Sequence, residues 1–117
     1  MTVSKNGRGE KMKTKWTRYH QGKSIGTKGP EDGIIILDNE HSEGARITLE
    51  NEVRNGSFAI TCGIYGLMVH TAFFRKFDDA KKAFGLMKRG TSGILRLPPD
   101  DDFENVLEAV ERFTNRW

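Results

Sequence analysis

Cysteine is nearly missing from this chain: Cys62 is the single one among 117 residues, so no intramolecular disulfide forms and a stapled secreted scaffold is excluded. A reducing, cytoplasmic setting is the expectation that follows. Long apolar runs are lacking as well. Met1-Thr2-Val3 gives way at once to polar, glycine-containing sequence, which is not the pattern of a signal peptide. The longest nearly uncharged stretch, residues 56–74, is interrupted by Thr61, His70 and Thr71 and suits a β-hairpin better than a membrane span.

Acidic residues are scarce in one region only. Residues 1–29 hold eight Lys/Arg against the lone Glu10, a balance of +7, whereas residues 30–117 hold eleven against fifteen acids, a balance of −4. The net +3 therefore describes a basic N-terminal segment attached to a mildly acidic body. Residues 1–14 show no apolar period and are expected to form a disordered tail, leaving 15–117 as one domain.

What is present is a set of strand patterns followed by helix patterns. Trp16 to His20 reads as a short strand or docking segment, and residues 22–30 as a polar loop. Ile34-Ile35-Ile36-Leu37 is an unbroken apolar strand. Ala45 to Leu49 alternates with period two, placing Ala45, Ile47 and Leu49 on the buried side. Asn55-Gly56 marks a turn. Residues 58–74 are too long for one ordinary strand and fold back at Tyr65-Gly66. Ala80, Ala83, Phe84 and Met87 then share one face of a helix opened by Asp78 and Asp79, with Gly90 and Gly93 obscuring its end. A last helix, capped by one of Asp100, Asp101 or Asp102, carries the stripe Phe103, Val106, Leu107, Val110 and Phe113. The expected fold is α+β: an antiparallel meander of about four strands, with two C-terminal amphipathic helices on one sheet face.

The hairpin register decides which residues meet. A two-residue turn at Tyr65-Gly66 pairs Ile64 with Leu67 and gives a uniform core face of Phe58, Ile60, Cys62, Ile64, Leu67, Val69, Thr71 and Phe73. His70 then projects away from Cys62. A three-residue loop, residues 64–66, suits the turn chemistry better and makes His70 a diagonal neighbour of Cys62. The uniform face involves eight residues and the turn one, so the first register is expected.

That register leaves Met68, His70, Ala72 and Phe74 as a surface for a protein partner or a second copy of the chain, with a homodimer the expected outcome. A non-enzymatic interaction domain is the leading functional expectation. A small enzyme or ligand-binding protein using Cys62, His70, His20 and Tyr65 is the alternative, although no third group is placed to orient the histidine. Lys11, Lys13, Lys15, Trp16, Arg18, Lys23 and Lys28 mix phosphate neutralisers with a stacking ring, the ingredients of weak nucleic-acid binding, but the acidic body and the lack of a recognition motif oppose it. Gly22-Lys23-Ser24 lacks the earlier glycine and the following helix of a phosphate loop. His20, His41 and His70 occur in no metal-ligand spacing, and neither a metal nor any other cofactor is expected.

Overall fold

The period-two segments assemble into one antiparallel sheet in chain order. In the computed structural model, which describes residues 15–53, 56–98, 100 and 102–117, the strands are β1 (Trp16–Arg18), β2 (Ile34–His41), β3 (Ala45–Val53), β4 (Ser57–Ile64) and β5 (Met68–Phe74). Each pairs with the next, so β3 is central and β1 and β5 are the edges. The meander thus has a fifth strand, contributed by the Trp16 segment. Helices α1 (Phe77–Leu95) and α2 (Phe103–Arg116) follow. The expected N-terminal tail, Asn55 of the turn and Asp101 among the candidate caps lie outside the described residues.

Ala45, Ile47, Leu49, Ile60 and Cys62 are fully buried on one sheet face, where α1 covers them with Ala80, Ala83, Phe84 and Met87. Trp16 ties the short edge strand into this layer. Its indole Nε1 donates to Ser92 Oγ on α1 at 2.9 Å, and its ring meets His41 edge-on at 4.9 Å. His41 Nδ1 accepts from the Glu43 amide at 3.0 Å, and burial lowers its pKa, so the neutral ring fits this corner.

The apolar run at the start of β2 has a local cause. Ile35 pairs with Glu50 but Leu37 pairs with Leu49, so a bulge inserts Ile36. Ile36 and Leu37 both pack toward the helix-side core, while Ile35 is buried on the other face. The unbroken apolar run is thus a strand that changes phase at the bulge.

Gly90 and Gly93 do not end α1, which continues to Leu95. Gly90 sits where a Cβ would lie 3.0 Å from the Phe113 ring of α2, so its missing side chain lets the helices approach. Asp102 caps α2, accepting from the Glu104 amide at 3.2 Å. Of the expected stripe only Phe113 is buried; Phe103 and Leu107 remain exposed. The two helix glycines should respond differently. A Cβ at Gly93 meets nothing within 4 Å, so Gly93→Ala should raise stability by about 1 kcal/mol through helix propensity. Gly90→Val should lower stability by displacing Phe113, and urea titrations of the two variants provide the comparison.

Candidate functional site

The turn between β4 and β5 sets the geometry of everything beyond it. Ile64 pairs with Met68, leaving Tyr65, Gly66 and Leu67 as a three-residue loop. Leu67 N donates to Ile64 O at 2.9 Å, and Gly66 supplies the positive φ of 78°. This differs from both registers considered from sequence. Cys62 now lies directly opposite His70, and both face the helices.

The uncovered face is therefore the reverse of the expected one. Met68, Ala72 and Phe74 pack against the helix-side core, and His70 meets Phe113 edge-on with ring centroids 6.4 Å apart. Val69 and Phe73, expected in the core, are instead 78% and 57% exposed. The physical reason is that β5 is apolar on both sides. Its helix-facing set includes the small Ala72, only 4% exposed, on the face that α1 covers.

Cys62 and His70 are brought together in an environment that favours the thiol. The Cys62 Sγ is 3.0 Å from Thr91 Oγ1, which in turn donates to Met87 O at 2.8 Å. Burial pushes the Cys62 pKa up to about 11, so little thiolate exists at neutral pH. His70 Nε2 is buried without a hydrogen-bond partner. His20 follows β1 at the opposite edge of the sheet, stacked on Tyr19 at 4.2 Å, and does not join them. Iodoacetamide at pH 8 should alkylate Cys62 far more slowly than in denaturant; fast native labelling would show an accessible, activated thiol.

The residues proposed to touch a polyanion are also dispersed in role. Trp16 is buried, and Lys15 forms an ion pair with Glu43. Arg18, Lys23 and Lys28 are exposed, while Lys11 and Lys13 lie outside the described residues. No group of three or more metal-ligating side chains occurs among the described residues.

The second sheet face has an order that the sequence pattern concealed. Three cross-strand rows run over it: Glu40–Arg46–Gly63–Val69, Asp38–Thr48–Thr61–Thr71, and Ile35–Glu50–Ala59–Phe73. Residues 19–33 cover the β2–β3 half of this face. Ser24 Oγ donates to Asp38 Oδ2 at 2.7 Å, and Arg46 reaches both Asp38 oxygens, Nε to Oδ1 at 3.0 Å and Nη2 to Oδ2 at 2.7 Å. The Arg46 guanidinium also stacks over Tyr19, 3.6 Å from the ring centroid. Glu50, fully buried, accepts the Glu31 and Gly33 amides at 3.0 Å and so anchors the end of the loop.

Beyond the loop, the β4–β5 half of the face stays open as a cleft of about 580 Å³. Pro30, Arg46, Thr48, Gly63, Tyr65 and Val69 line it. The cleft exists because Gly63 places no side chain between Arg46 and Val69 in their row. Tyr65 closes one end, its amide donating to Gly44 O at 2.9 Å. Burial, then the Glu40 carboxylate, raise the phenol pKa, keeping Tyr65 neutral. Of these residues, sequence reasoning singled out Tyr65 alone. Arg46 and Thr48 read simply as outward positions of a half-buried strand, since the loop that covers them has no apolar pattern.

No family model, curated protein or solved structure matches this chain. The fold and site define an α+β meander domain with a loop-covered second sheet face and an open hairpin.

Glu50 offers a measurable handle on that face. Burial raises its pKa above the ordinary 4.5, against the opposing effect of the Gly33 and Glu31 amides. An acid with a raised native pKa binds its proton more tightly when folded, so its contribution is complete below pH 4.5 and is lost as pH rises through the native value. Glu50→Gln keeps an acceptor without the charge and should gain stability relative to the parent as pH rises from 4 to 8. Glu50→Leu strands two amide donors and should cost about 2–4 kcal/mol. Urea titrations across that pH range read both effects.

Proposed function

We propose that this chain is a non-enzymatic interaction domain that self-associates through the free edge of β5. The observation carrying this reading is the edge itself. Among the described residues β5 has a neighbour on one side only, and residues 67–74 contain no charged side chain while Val69 and Phe73 stand exposed. An uncovered, uncharged strand edge presents alternate backbone amides and carbonyls to a further strand.

A second copy of the chain is the occupant this edge suits. Antiparallel pairing about a twofold axis at Thr71 sets Val69 of one copy opposite Phe73 of the other, and the reverse. The two exposed apolar side chains cover each other, and no like charges meet within the strand. Arg75 and Lys76 fall just past the strand end, where they do not interrupt the pairing.

Light scattering on the full chain should give about twice the 13.3 kDa chain mass. Phe73→Lys should yield a folded monomer, because Phe73 is exposed and contributes little to the core. Adding Val69→Glu should restore the dimer, since the proposed register places Glu opposite Lys. A monomeric parent at high concentration, or a dimer indifferent to Phe73→Lys, overturns the proposal.

A further inference from the structure

The cleft on the second sheet face contains a polar group that the fold leaves unanswered. Thr61 Oγ1 and Thr71 Oγ1 share a hydrogen bond at 3.3 Å, but Thr48 Oγ1, in the same row, has no partner. Thr48 is only 3% exposed, so its hydroxyl is shielded from bulk water as well. A buried hydroxyl left unpaired costs about 1–3 kcal/mol. Its row neighbours Thr61 and Thr71 bond to each other and leave Thr48 out.

From this we infer that the cleft is a binding site for a small neutral molecule with an apolar body and one hydrogen-bonding group that reaches Thr48. Size supports a compact organic ligand: about 580 Å³ lies within the roughly 300–1,000 Å³ usual for such sites. Shape supports an apolar body, which would lie over Gly63 with Pro30 and Val69 beside it. Charge excludes an anion as the preferred occupant. Arg46 is the cation of the lining, and both Asp38 oxygens bind it while Glu40 stands across the strand pair from it. Rotation of Thr48 about χ1 between staggered wells is the motion that offers its hydroxyl to a seated ligand. The wall needs no such adjustment, because Arg46 is fixed between Asp38 and the Tyr19 ring.

Three probes of one shape separate these requirements: 1-naphthol, naphthalene and 1-naphthoate, titrated into the full chain and followed by amide chemical shifts. 1-Naphthol should perturb Thr48, Thr61, Gly63 and Val69 and bind at least fivefold tighter than either of the others. Thr48→Val removes the hydroxyl at nearly constant volume. It should erase the preference for 1-naphthol over naphthalene while leaving thermal stability equal or higher, an outcome that a purely structural threonine would not produce. Gly63→Val, whose Cβ would lie 3.6 Å from Met68 O and 3.7 Å from Val69 Cγ2, fills the cleft and should abolish binding of all three probes. Shifts outside the cleft, tighter binding of 1-naphthoate, or an unchanged preference in Thr48→Val overturns the inference. The wild-type mass under the same conditions reports self-association separately, so failure of one reading is not failure of the other.

Discussion

One turn governs the surface chemistry of this domain. With Ile64 paired to Met68 and Gly66 carrying the positive φ, each β5 residue is committed to a face. A shift of one residue would exchange Met68, His70, Ala72 and Phe74 for Val69, Thr71 and Phe73 beneath the helices. The hydrogen bond from the Tyr65 amide to Gly44 O joins this turn to the β2–β3 turn, so two hairpins brace one another at the same end of the sheet. The cleft, the exposed edge pair and the meeting of Cys62 with His70 all descend from that register.

The second face is held by carboxylates rather than by an apolar layer. Asp38 and Glu50 are buried, and each is satisfied: Asp38 by Arg46 and Ser24, Glu50 by two backbone amides. Removing a partner from such a group is far more damaging than never having buried it. That asymmetry lets a loop of low apolar content hold a defined position. The closest approach is at Gly29, where any Cβ would overlap the Glu50 side chain.

Element types were legible in the sequence because each rests on a local signal. The alternation at Ala45–Leu49, the stripe of α1 and the aspartate cap of α2 survive in the structure unchanged. The hairpin register was not legible, since apolar residues occupy both sides of β5 and the most uniform face is the wrong criterion at a sheet edge. The bulge at Ile36 was hidden in a run of identical residues. Thr48 read as an outward position because burial by a polar loop leaves no periodic trace. Tyr65 was visible as a turn residue, but the cleft it closes depends on pairing Gly63 with both Arg46 and Val69, a non-local fact.

Val69 belongs to both proposed surfaces. Its position in the row beside Gly63 makes it a wall of the cleft, and its position on β5 makes it half of the edge pair with Phe73 of a second copy. Two binding events that share a side chain are energetically coupled whenever one changes its rotamer or exposure, and the coupling is reciprocal. Edge pairing would hold Val69 in one orientation, while an occupied cleft would hold it from the Gly63 side. Agreement between those orientations makes ligand and second copy mutually reinforcing; disagreement makes them competitors. The fold thus places its most exposed β5 side chain, 78% accessible, where the cleft and the strand edge meet.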